Sequence, residues 1–207
     1  MFTKLVSLLA TYTTLAAATS FQLRSYAPKE PKLHNFWVNA GEQRFWVNLS
    51  RPDTYCPDFS GASCPPGNTT VVDGRFSQLK TLMSKGQRVY LDPYGVISYT
   101  VGDDASAASM PEGSNFNCFR AVTIKAADSS QEIQILRFIN LDDVSKADQS
   151  FFFACPQQGR EHHFLRVRWT SQHNNRDWHL DWDSQCTPLE GLMLVESDVE
   201  IGAHQYV

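Results

Sequence analysis

The side chains best equipped for chemistry gather late in the chain. His162, His163, His173, His179, Asp181 and Asp183 are all potential metal ligands. His179 and Asp181, two apart on a strand, would share one face and could hold an ion with a third ligand from a neighbour. No recognised metal-binding spacing accompanies them. The simpler reading is the solvated side of a strand whose other side is Trp178, Leu180 and Trp182, so no metal and no other cofactor is expected. Asp177, Asp181 and Asp183 would supply a glycosidase's paired carboxylates if two stood a few ångströms apart. On the same strand face they serve equally as solubilising charge. Neither a Gly-x-Ser-x-Gly elbow nor a phosphate-cradling glycine loop occurs, so the expectation is a protein that is not an enzyme, with no catalytic residue assigned.

Five cysteines, Cys56, Cys64, Cys118, Cys155 and Cys186, leave one over when four pair in an oxidising compartment. Cys56 and Cys64 bracket Pro57 and Gly61 and lie close enough in sequence for a tight loop to close. Cys118, near Phe116 and Phe119, reads as a small buried hydrophobe rather than a reactive thiol. Asn48-Leu49-Ser50 and Asn68-Thr69-Thr70 are N-glycosylation sequons. Residues 1–20 combine Lys4, an apolar run over 5–18 and the small residues Ala18-Thr19-Ser20, which predicts a secretory signal cut before Phe21 or, alternatively, after Ala18. That run is too short, and too interrupted by Thr11, Thr13 and Thr14, for a membrane anchor. One secreted domain over 21–207 is expected, with no membrane partner. Losing Lys4 from 18 basic residues leaves 17 against 22 acidic ones. Arg160, Arg166 and Arg168 cluster, but with Glu161 among them they make no basic surface for nucleic acid. A monomer is expected.

These groups must be positioned by strands, because period-two alternation dominates and long helical periodicity is missing. The phrase Phe36-Trp37-Val38-Asn39 returns as Phe45-Trp46-Val47-Asn48. A turn centred on Gly41-Glu42 would set Trp37 opposite Trp46, Phe36 opposite Val47 and Val38 opposite Phe45. Trp37, Asn39, Arg44, Trp46 and Asn48 then share one face. A glycosylated Asn48 must face solvent, which takes the tryptophans outward as a candidate binding platform, Trp37, Trp46, Asn39 and Arg44, for a sugar ring or a partner side chain. The competing expectation is that another strand covers the indoles. A second hairpin joins residues 88–91 to 96–99 across Asp92-Pro93-Tyr94-Gly95, type I turn chemistry that exposes Tyr94. A third pairs 133–139 with 151–154. Residues 165–169, 178–182 and 192–195 add strands. Hairpins at about fifty-residue intervals predict an all-β fold, a compact antiparallel barrel or sandwich, with a β-trefoil-like arrangement as the leading specific form.

Taken in order, Arg44-Phe45-Trp46-Val47, Tyr55-Cys56-Pro57, Ser63-Cys64-Pro65-Pro66-Gly67, Gly86-Gln87-Arg88-Val89-Tyr90-Leu91, Ala154-Cys155-Pro156 and the closing Ala203-His204-Gln205-Tyr206 resemble a known family. It is that of the secreted fungal IgE-binding proteins, related to PhiA-type cell-wall proteins of phialide and conidium development. The chain departs from that pattern in His204, where the family has Trp, and in having Cys118. The resemblance implies Cys56–Cys64 and Cys155–Cys186 disulfides, an extracellular or cell-wall location and a non-enzymatic role. The function expected is therefore a wall-associated structural or carbohydrate- or partner-binding component of a filamentous fungus, linked to asexual development. Its partners would be wall polysaccharide or a wall protein. The alternative is a secreted effector or allergen-like protein acting on a host surface.

Overall fold

The computed structural model describes residues 20–58, 63–102, 106, 109–127, 129–139, 152–167 and 185–207. The expected signal segment up to residue 19, and the ligand and carboxylate candidates His173, Asp177, His179, Asp181 and Asp183, lie outside the described residues. So do Trp169, Trp178 and Trp182.

The described residues fold as strands: β1 (Ser20–Tyr26), β2 (Trp37–Gly41), β3 (Arg44–Val47), β4 (Thr54–Tyr55), β5 (Val72–Asp73), β6 (Gln78–Leu79), β7 (Gln87–Leu91) and β8 (Ile97–Tyr99). They continue as β9 (Asn115–Phe116), β10 (Phe119–Lys125), β11 (Glu132–Phe138), β12 (Phe152–Pro156), β13 (His163–Val167), β14 (Thr187–Leu189), β15 (Gly191–Glu196) and β16 (Gln205–Tyr206). Pairing runs β1-β5-β6-β7-β8-β3-β2 and back to β1, a closed seven-strand antiparallel barrel. Closure leaves the barrel itself without an open edge, and among the described residues the sheet's path ends at β10 and β14. Two flaps extend it. β15, β11 and β10 follow β1 on one side, and β13, β12 and β14 follow β3 on the other. Strand β1 is the branch point, paired with β15 from Phe21 to Tyr26, with β5 at Ser20 and Phe21, and with β2 at Leu23 and Arg24. Ser20 belongs to that ladder and its hydroxyl donates to Glu200 O at 3.1 Å, so a signal cut after Ala18 would keep the strand whole.

The barrel of the sequence reading is thus present, and the second hairpin pairs Val89 with Tyr99 and Leu91 with Ile97 as expected. Its turn is held by Asp92, whose carboxylate accepts from the N–H groups of Tyr94 and Val96, both at 2.8 Å. The third hairpin is a correction. β11 pairs with β10 and β15, whereas β12 pairs with β13 and β14. The trefoil form, which rested on three equivalent hairpins, loses its third member.

Inward residues of the barrel strands, among them Val38, Phe45, Val47, Leu91, Ile97 and Tyr99, are wholly buried with Phe76, Phe119 and Phe152. Phe45 sits edge-on to both Phe76 and Tyr99, at centroid distances of 4.9 and 5.5 Å. Such pairs add about 0.5–1.5 kcal/mol each beyond area burial. The end of the chain is drawn into this interior. Tyr206 is buried, and its hydroxyl donates to Thr69 O at 2.8 Å and accepts from Val71 N at 3.0 Å. The buried amide of Gln87 donates to Thr100 O at 2.8 Å and Tyr206 O at 2.9 Å, while its oxygen accepts from Tyr206 N at 2.7 Å. Gly202 is required here, since any Cβ would meet the Tyr206 hydroxyl and Thr69 O.

Cys118 is fully buried, and burial pushes its thiol up to about 12. A disulfide reagent such as Ellman's is therefore expected to find no reactive thiol in the native protein and one per chain after unfolding. Replacing the Gln87 amide (Gln87→Leu) strands the buried N–H and C=O of Tyr206. A loss of about 3 kcal/mol is expected, read by thermal unfolding as a Tm about 6–12 °C lower.

Candidate functional site

The candidate platform begins in the β2–β3 hairpin, where the structure moves the register by two residues. Val38 faces Val47, Asn39 faces Trp46, Ala40 faces Phe45 and Gly41 faces Arg44. The turn is therefore Glu42-Gln43, both with positive φ (51° and 57°). A shift of two keeps every side chain on its expected face, so Trp37, Asn39, Arg44 and Trp46 do share one side. They do not make a flat platform. Trp37 is 39% exposed and Trp46 only 1%.

Trp46 is covered because β13 pairs beside β3 and sets Phe164 directly opposite it. Phe164 and His162 meet the indole edge-on at centroid distances of 5.9 and 4.7 Å. Arg160 lies 5.3 Å over the ring and is ion-paired to Glu42 at 2.6 Å. Trp46, Phe164 and Cys155, with Leu49, Val96 and Cys186 packed against them, form a second small core outside the barrel wall. The indole N–H donates to Gly41 O at 2.7 Å. The competing expectation, that another strand covers the indoles, holds for Trp46. The Cys155–Cys186 disulfide braces this layer, and Cys56–Cys64 closes the early loop, as the resemblance implied. Asn48 and Asn68 are both exposed. Asn39 is buried, its amide donating to Leu49 O at 2.8 Å. Burial, and secondarily the charge of His162, pushes His163 below its usual value. The described residues contain no cluster of three metal-ligating side chains.

Beside this second core opens a groove of about 610 Å³ lined by Arg44, Tyr94, Val96, Gln157, Phe164 and Arg166. Its floor is Phe164, with the Arg44 guanidinium 5.4 Å from the ring centroid. Arg44 is half-buried and makes no hydrogen bond or ion pair among the described residues. Tyr94, 51% exposed at the tip of its turn, forms one lip, and Arg166 donates to its carbonyl. Gln157 also lines the groove, its side-chain oxygen buried and without a hydrogen-bond partner. Asp92 supports the tyrosine from behind. Burial raises its carboxyl, against the N–H groups of Val96 and Tyr94 and the charges of Arg166 and Arg44. The groove thus offers aromatic surface, cationic donors and amide groups, a combination suited to holding a polar ligand by stacking and hydrogen bonds.

Of the expected platform only Arg44 reaches this groove. Tyr94 was signalled by its turn, and Arg166 by its place in the arginine cluster. Phe164 and Gln157 carried no sequence signal, because only the β3–β13 pairing brings them there. In unglycosylated protein, Trp46→Ala is expected to cost about 3–5 kcal/mol by emptying the second core. Trp37→Ala should cost no more than about 0.5 kcal/mol. Denaturant unfolding of the two variants measures the difference.

No family model matches the chain, and no solved structure matches it. Over 110 residues, 53% of its length, it is 31% identical to an uncharacterized secreted protein of Arthroderma benhamiae, and the match spans 54% of that protein. The chain thus spans about half the length of the curated relative it matches. This similarity supports a secreted fungal protein, and the two disulfides fit an extracellular one.

Proposed function

We propose that this protein works outside the cell by binding rather than catalysis, as a cell-wall-associated component of a filamentous fungus. The contact it makes with wall polysaccharide or a wall protein runs through the Arg44–Tyr94–Phe164–Arg166 groove. The observation that carries the reading is the groove itself, where an exposed phenol ring, the Phe164 ring and the guanidinium of Arg44, which makes no hydrogen bond among the described residues, converge. Sugar rings present apolar C–H faces and a rim of hydroxyls, and these groups answer both. The resemblance to IgE-binding and PhiA-type wall proteins supports the location and the link to asexual development. Two features favour binding over hydrolysis. Among the described residues the groove's lining includes no carboxylate, and Asp92 behind it is committed to holding the turn.

The test is retention of the purified mature protein on insoluble chitin, β-1,3-glucan and intact fungal walls. Wild type should be retained on at least one. Tyr94→Ala and Arg44→Ala should each weaken retention about tenfold, equivalent to ~1.4 kcal/mol, while Trp37→Ala should not. Wild type that stays in solution with all three materials would overturn the wall-binding role, and equal retention of all variants would remove the groove from it.

A further inference from the structure

Trp37 takes no part in the groove, yet its surroundings are organised around one neighbour, Asn48. We propose that Trp37 is the stacking base for the first sugar of an N-linked glycan on Asn48, so that the aromatic and the modification site form one intramolecular unit. This rests on the reading that the chain is exported, because N-glycans are added on that route.

Strand β2 lies between β1 and β3, so Trp37 is flanked on both sides. On the β1 flank Arg24 stands directly opposite it, with its guanidinium 3.8 Å from the indole centroid and tied to Asn35 Oδ1 at 2.9 Å. On the β3 flank is Asn48, whose N–H donates to Trp37 O at 3.0 Å. One flank of the indole is therefore filled by a cation, and the other adjoins an exposed asparagine. Asn48 stands one residue past the end of β3, and its main-chain bond to Trp37 keeps the two residues adjacent. That adjacency lets a pyranose on the Asn48 amide fold back over the ring.

The sequon is also held in place. Asn48 sits in the left-handed region, φ 68°. Leu49 O accepts from the buried Asn39 amide, and the Leu49 side chain packs on the second core with Trp46. Asn39 and Trp46 thus position Asn48 and leave Trp37 as the surface its glycan meets. An indole left 39% exposed gains a cover from the molecule's own modification, with its C–H face on the aromatic plane.

The experiment uses protein secreted from a glycosylating host and trimmed enzymatically to one N-acetylglucosamine per site, with occupancy read by peptide mass spectrometry. Ser50→Ala removes the Asn48 sequon while leaving the left-handed asparagine. In chains with Trp37, that change is expected to lower Tm by about 2–4 °C. In the Trp37→Ala background it should change nothing. Nuclear Overhauser contacts between the sugar and the indole should appear in wild type. An equal effect of Ser50→Ala in both backgrounds, or sugar at Asn68 with none at Asn48, overturns the proposal. Bare asparagines at both sites of the secreted protein overturn the proposal and leave export standing, whereas a chain retained inside the host overturns export itself.

Discussion

An amide taken wholly out of water must find all its partners inside the protein, and Gln87 finds them in Thr100 and in both main-chain groups of Tyr206. Much else follows from that bond set. It fixes the last residues against β7, which sets the Tyr206 hydroxyl between Thr69 and Val71 and forces glycine at 202. β16 then lies along β4, next to the Cys56–Cys64 loop, and Tyr99 reaches Val207 O at 2.9 Å. Two phrases of the family resemblance far apart in sequence, Gly86-Gln87 and Gln205-Tyr206, are in this fold the two halves of one clasp.

Local chemistry was the legible part. The Asp92-Pro93-Tyr94-Gly95 turn could be read because every residue in it acts within four positions, and alternation revealed the barrel-facing sides of β3 and β13. The β2–β3 register was misread for a specific reason. Gly41 looks like a turn glycine, but it is extended and is small because the Asp53 carboxylate would lie 2.6 Å from any Cβ there. The true turn uses Glu42 and Gln43, residue types that seldom signal positive φ.

The fate of the tryptophans could not be read from their own segment. Trp37 and Trp46 have the same neighbours in sequence and the same face of the hairpin. One is covered and the other is not, because β13 pairs along β3 more than a hundred residues away and supplies Phe164 and His162. The same pairing builds the groove. Alternation tells which side of a strand faces the barrel; it is silent on whether a second layer will be laid over the outside. The third hairpin failed similarly, since β11 finds its partners in β10 and β15 rather than in the next strand along.

Strand β1 needs β15 along nearly its full length, and the barrel interior needs Tyr206. The seven barrel strands all lie within residues 20–99, yet the packing around them is completed only when residues 191–206 join it, a long-range closure of the kind that forms slowly. Thr70, the third residue of the second sequon, is buried in the finished protein, where its hydroxyl accepts from Ala40 N at 2.8 Å. An enzyme that must grip that threonine meets it only in the interval before closure. The long-range pairing of β1 with β15 and the docking of Tyr206 lengthen that interval.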